Sequence, residues 1–137
     1  CCLRFEVTES ALMRDHQSAI DTMLALSELG VQLALDDFGT GYSSLKYLKE
    51  LPIDGIKIDR SFVQDIGIDS SDETIIEAML SMANSLGMYC VAEGVETAQQ
   101  LEVLRAEGCE IGQGYFFHKP MAPESFAQLL KPALSEA

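Results

Sequence analysis

The sequence predicts an α/β fold built on a parallel sheet. Segments of strand character alternate with segments of helical spacing, giving five strands, with no low-complexity stretch or domain linker between them. A second observation concerns placement. Glu6, Asp36, Asp37, Lys57, Glu93 and Gln113 each fall at or just before the carboxyl end of a predicted strand, the edge at which α/β barrels and open sheets bind ligands. The third is size: 137 residues, 47% of them hydrophobic, allow one modest domain with a single core and exclude wholesale disorder.

Cys2 to Thr8 reads as a short strand. Ser10 caps a helix whose apolar residues include Met13, Ile20, Met23, Leu24 and Leu29, and Gly30 closes it. Val31 to Leu35 is the next strand, ending at the aspartate pair. Ser43 or Ser44 caps a short helix carrying Leu45 and Leu48, which Pro52 stops. Gly55 to Asp59 is a brief β-branched strand interrupted by Lys57, and 65–72 reads as polar loop. Asp72 caps a helix in which Ile76, Met79, Leu80, Ala83 and Leu86 follow helical spacing up to Gly87. Met88 to Ala92 is a strand. Thr97 and Gln100 have capping-box spacing before Leu101 and Leu104. Glu110 to Tyr115 holds the last strand, and Pro123 suits the first turn of a final helix bearing Phe126, Leu129 and Leu130.

The chemistry concentrates in the stretch from Leu33 to Leu45, where an apolar run ends in Asp36-Asp37 and a loop with Gly39 and Gly41 follows. Adjacent carboxylates repel and are costly to bury, so a fold that keeps them at a strand end offers them a cation. Their oxygens suit hard divalent ions such as Mg²⁺, Mn²⁺ or Ca²⁺. Taken alone, the pair fits a solvated acidic turn equally well. Lys57, between two isoleucines, is open to a second reading as a core lysine paired with Asp36. Gln113 is open to one as partner to a buried backbone group. His118 reads as a rim or packing residue.

The net charge of −13 argues against plain DNA or RNA binding, which needs a basic footprint. A phosphate-bearing substrate would need metal ions to offset this field. Cys1, Cys2, Cys90 and Cys109 match no zinc spacing and no disulfide framework. Cys90 reads as buried volume, and a reducing cytoplasm is the expected setting. No apolar run approaches a membrane span of roughly 20 residues, and the opening Cys1-Cys2-Leu3 reads as a piece of something longer.

With these residues in place, the chain resembles the EAL-domain family, the bacterial phosphodiesterases that linearise cyclic di-GMP. The resemblance rests on Phe5-Glu6-Val7-Thr8-Glu9-Ser10, the run Asp36-Asp37-Phe38-Gly39-Thr40-Gly41-Tyr42-Ser43-Ser44-Leu45, Ile56-Lys57-Ile58-Asp59, Val91-Ala92-Glu93-Gly94-Val95-Glu96-Thr97, and Gly112-Gln113-Gly114-Tyr115-Phe116-Phe117-His118-Lys119-Pro120. It implies a modified TIM (β/α)8 barrel, of which residues 1–137 are about the last five strands with their helices. The amino-terminal strands, with the Glu-Ala-Leu motif and a later asparagine ligand, are then not in this chain.

The resemblance also implies roles. Glu6 and Asp36 would hold a first Mg²⁺ or Mn²⁺, and Asp36, Asp37 and Glu93 a second. Lys57 would orient or polarise the attacking water, and Gln113 would hydrogen-bond near the metal–water cluster. Glu9 would anchor the Asp37–Ser44 loop, which includes Gly39, Thr40 and Gly41, and Glu96 would support Glu93. The expected reaction is hydrolysis of cyclic di-GMP to linear pGpG, with a homodimer contact through the loop and helix after Asp37. A sensor or GGDEF domain upstream is expected, with the domain in the cytoplasm, as the cytoplasmic portion of a membrane-anchored protein where an anchor exists. The alternatives are a binding module that senses the dinucleotide without cleaving it, and a fragment acting only as an interaction surface. An open half-barrel is further expected to associate through its unpaired strand edges.

Overall fold

The computed structural model describes residues 3–8, 11–12, 15–39 and 45–134. Five strands, β1 (Arg4–Thr8), β2 (Gln32–Phe38), β3 (Gly55–Ile58), β4 (Tyr89–Glu93) and β5 (Ile111–Gln113), form one sheet in sequence order. Every neighbouring pair is parallel. Between and after them run helices α1 (His16–Glu28), α2 (Leu45–Glu50), α3 (Arg60–Gln64), α4 (Ser70–Ser85), α5 (Ala98–Ala106) and α6 (Pro123–Leu134). A doubly wound sheet reverses its strand order at a switch point. This one never does, so the winding is that of a barrel wall.

Alternation along each strand separates two faces. Leu33, Leu35, Ile56, Ile58 and Ala92 are almost fully buried and pack with Met23, Leu48, Val63, Ile76, Met79, Leu80, Ala83 and Leu104 from the helices. The opposite face carries Arg4, Glu6, Ala34, Lys57, Val91, Ile111 and Gln113, which line one open cavity of about 370 Å³. The apolar residues of the strands thus fix the helical layer. The polar ones are left on the face that becomes a barrel's interior.

Local signals decide the helix starts. Thr97 and Gln100 form the expected capping box, with Gln100 N–H donating to Thr97 Oγ1 at 3.2 Å. α1 starts from Asp15, whose carboxylate accepts from Ser18 N–H; Ser10, Met13, Ser43 and Ser44 lie outside the described residues. α4 starts earlier than the sequence predicts. Asp69 is the cap, accepting from Ser71 N–H at 2.8 Å, and Asp72 falls in the first turn, where its charge favours the helix amino terminus. The expected polar loop at 65–72 is therefore partly helix. A further helix, α3, had no counterpart in the sequence reading: Asp59 caps it by accepting from Ser61 N–H at 2.9 Å.

The strand ends also shift. β5 occupies three residues within the expected range, because Gly114 leads directly into a turn. β2 runs on to Phe38, so the aspartate pair lies inside the strand rather than beyond it. Cys90 is half-buried, and burial together with the neighbouring Cys109 pushes its thiol up to about 12, consistent with inert volume. Among the described residues no helix is long and apolar enough to cross a membrane.

Candidate active site

The aspartate pair owes its geometry to an irregularity in β2. Leu35 pairs with Ile56 of β3, yet Phe38 pairs with Ile58, so β2 holds one residue more than its partner. A bulge of this kind re-aims side chains. Asp37 sits at φ 56, a left-handed conformation that aspartate tolerates better than most residues, and its N–H donates to Asp36 Oδ1 at 3.1 Å. Buried Phe38 holds the strand end down beyond it. In a regular strand, consecutive side chains diverge to opposite faces. Here an oxygen of Asp36, one of Asp37 and one of Glu93, from β4, all lie within 4.8 Å of one another.

Lys57 stands beside this cluster, 4% exposed. Its ammonium lies 2.6 Å from Glu93 Oε1, 3.2 Å from Asp36 Oδ1 and 2.6 Å from Glu6 Oε2. Burial alone would depress its pKa, but the bonds to Glu6, Glu93 and Asp36 and the charge of Glu93 outweigh that and raise it above the ordinary lysine value. Lys57 is thus a fixed positive charge at neutral pH.

The carboxyl ends of β2 to β5 enclose a cleft of about 400 Å³ lined by Asp37, Asp59, Arg60, Glu93, Glu96, Gln113 and Tyr115, among others. That volume falls within the range of small-molecule sites, roughly 300–1,000 Å³. Asp59 accepts from Ser61 Oγ and N–H, which holds its carboxyl below the usual range despite partial burial. Gln113 is the register partner of Glu93 and lines this cleft and the inner-face cavity alike. Glu96 is exposed, and its backbone N–H donates to Gln100 Oε1 at 2.7 Å. His118 lines the inner-face cavity with Glu6 and Lys57.

The structure therefore brings together Asp36, Asp37, Lys57 and Glu93, places Glu6 on Lys57 rather than in the Asp36–Asp37–Glu93 cluster, and sets Gln113 and Glu96 on the cleft wall. Gly39 has φ 97 and closes against Met79 and Phe62; Glu9, Thr40 and Gly41 lie outside the described residues. Asp59, Arg60 and Tyr115 were not singled out from the sequence. The signal on offer was position, since Asp59 and Tyr115 fall one and two residues beyond the ends of β3 and β5.

A divalent cation fits this arrangement. The donors are hard carboxylate oxygens drawn from two strands, and acids outnumber the cations Lys57 and Arg60 around them. Slight desolvation, with the charges of Asp36 and Asp59, raises the exposed Asp37 carboxyl above its usual range in spite of Lys57. A bound cation relieves that repulsion.

Comparison with known proteins places this geometry in context. The EAL domain family matches residues 1–120. The cyclic di-GMP phosphodiesterase NbdA of Pseudomonas aeruginosa is 49% identical over 96% of this chain and 17% of its own length. MucR of the same organism, named a bifunctional diguanylate cyclase/cyclic di-GMP phosphodiesterase, is 46% identical over 89% of this chain and 18% of its own. The structure of the MucR phosphodiesterase in complex with c-di-GMP superposes with a TM-score of 0.85 at 45% identity, over 90% of this chain and 50% of that one. The Klebsiella pneumoniae BlrP1 complex with manganese and cyclic di-GMP gives a TM-score of 0.76 at 35% identity, over 82% and 29%. The chain thus spans less than a fifth of these curated relatives and half of the solved MucR chain. Its five-stranded sheet is part of a TIM-like barrel. The chain belongs to the EAL domain family.

Proposed function

We propose that the chain is the carboxyl-terminal part of a single EAL domain that hydrolyses cyclic di-GMP to linear pGpG, using Mg²⁺ or Mn²⁺. One observation carries this reading: carboxylate oxygens of Asp36, Asp37 and Glu93 lie within 4.8 Å of one another, with Lys57 bonded to two of these residues. Asp36, Asp37 and Glu93 would hold one ion, and Glu6 with Asp36 would contribute to a second. Bound there, divalent ions lower the pKa of water and stabilise charge on phosphoryl oxygens.

The side chains of the chain itself do the rest. Lys57 remains an ammonium, so it orients Asp36 and Glu93 and adds positive charge beside the attacking water, favouring hydroxide. Gln113 offers an amide on the cleft wall beside Glu93. Water attacks one phosphorus of the cyclic dinucleotide, and a P–O3′ bond breaks. The products are a 5′-phosphate and a free 3′-hydroxyl, with no covalent nucleophile.

Support for the setting is coarser. The relative named as both cyclase and phosphodiesterase supports a GGDEF or sensor domain upstream. A cytoplasmic site accords with a nucleotide substrate. α2 begins eight residues after Asp37 in the chain, so a homodimer contact there would bear on the site.

The test is turnover of cyclic di-GMP by the complete domain with Mg²⁺ or Mn²⁺, read by chromatography of pGpG. Asp36→Asn and Glu93→Gln are expected to abolish it. Tight binding of the dinucleotide without hydrolysis under any divalent ion would establish a sensing module instead.

A further inference from the structure

The segment that carries Asp37 out of β2 does not take its course from the strand. Asp37 has φ 56 and Gly39 has φ 97, so the chain on both sides of Phe38 departs from extended backbone. What the segment rests on therefore decides where it goes. Phe38 is anchored in the core. Gly39 lies against the Phe62 ring of α3 and the Met79 methyl of α4, and a Cβ on it would come within 3.1 Å of that ring.

The same short helix touches the other side of the acid cluster. A Cβ on Gly94, the residue after Glu93, would lie 2.6 Å from Arg60 Cβ. That carbon is fixed to the helix backbone and cannot swing away as a side-chain tip can. α3 also begins where β3 ends, with Asp59 capping it two residues after Lys57. One helix thus abuts the chain next to Asp37 and next to Glu93. It also continues the strand whose lysine bonds Asp36 and Glu93.

We propose that α3 is a brace for the ion site, with Phe62 its positioning residue on the Asp37 side. Phe62 does not line the cleft itself and acts through Gly39. Groups that orient a metal ligand without touching the metal set much of a site's affinity. The inference rests on the reading of Asp36, Asp37 and Glu93 as ion ligands.

The experiment titrates Mn²⁺ into the complete domain and follows the free ion by its electron paramagnetic resonance signal. The urea midpoint of each variant is measured beside it. Phe62→Ala is expected to weaken Mn²⁺ binding about ten- to a hundredfold. Met23→Ala truncates a buried side chain of α1 and should lower the urea midpoint at least as far, with Mn²⁺ affinity kept at the wild-type value. Phe62→Val is a smaller truncation that should weaken binding by a lesser factor, and it serves where alanine prevents folding.

A folded Phe62 variant that binds Mn²⁺ as wild type does overturns the brace. So does a Met23 variant that loses as much affinity as the Phe62 one, since general loosening then explains both. A wild-type domain that binds no Mn²⁺ sinks the ion-site reading, and the brace with it.

Discussion

Lys57 Nζ lies 2.6 Å from Glu93 Oε1, joining β3 to β4 at a lysine almost wholly removed from solvent. Glu6 and Asp36 complete a ring of three acids around the one ammonium. A buried lysine without partners sheds its proton, and a buried acid without partners gains one. The three acids here keep Lys57 charged. The cation in the chain satisfies the inner side of the rim and leaves Asp37 and Asp59 on the outer side with excess negative charge.

Lys57→Met removes that cation and leaves Glu93 and Asp36 facing each other. Unfolding in urea at neutral pH without divalent ions should cost about 3–5 kcal/mol less than for wild type, the usual penalty for breaking a buried pair. The pH dependence follows from the raised folded pKa. A lysine raised in the fold contributes fully below its ordinary value and is lost only as pH climbs through the folded value. The gap between wild type and variant should stay flat from neutral pH to about 10 and shrink beyond. A gap closing near neutrality would assign the stabilisation to another group.

Asp37→Asn should separate stability from ion binding. The exposed Asp37 carboxyl is raised in the folded state by slight desolvation and by Asp36 and Asp59, so its charge weakens the fold increasingly as pH rises through that raised value. Asparagine removes the charge and suits the left-handed backbone at φ 56. Without ions the variant should be at least as stable as wild type at pH 7, with any gain small because the carboxyl is exposed and screened. Adding Mn²⁺ should raise the wild-type melting temperature and leave the variant nearly unmoved. Equal shifts in both would remove Asp37 from the ion site.

Some of this was open to reading along the chain, and some was not. Polar residues at strand ends follow from the apolar pattern of the strands, which is why Glu6, Asp36, Asp37, Lys57, Glu93 and Gln113 stood out. The convergence of Asp36 and Asp37 was not readable, because the bulge depends on how Phe38 pairs with Ile58 of another strand. The choice of Asp69 over Asp72 as cap was closed for a similar reason. Each can cap a helix, and the backbone geometry that selects Asp69 is not written in the letters. α3, five residues long, is too short to show helical periodicity.

Gly39→Ala probes how the loop after Asp37 is held. Gly39 has φ 97, and a Cβ there would lie 2.3 Å from the Met79 methyl and 3.1 Å from the Phe62 ring. The methyl ends a flexible side chain and can retreat, but the backbone conformation resists any Cβ. The variant should lose about 1–3 kcal/mol, and Met79→Ala added to it should recover little. Full recovery in the double variant would show that crowding, rather than backbone conformation, requires the glycine.

Gly55 and Tyr89 face each other as register partners in β3 and β4. A Cβ on Gly55 would lie 2.3 Å from the Tyr89 ring, whose other contacts include the Arg4 guanidinium 4.0 Å from its centroid. The ring therefore lies flat against the glycine, and Gly55→Ala should destabilise by about 1–3 kcal/mol through overpacking. The Tyr89 hydroxyl is buried without a hydrogen-bond partner in the described chain. An unpaired buried hydroxyl costs free energy that phenylalanine does not incur. Tyr89→Phe should thus leave the urea midpoint of the 137-residue chain equal to or above wild type. Gly55→Ala with Tyr89→Ala should be less destabilising than the two single effects added, because removing the ring vacates the space the new methyl needs. Strict additivity in that cycle would mean that the ring does not bear on the glycine. A lower midpoint for Tyr89→Phe would show that the hydroxyl has a partner after all.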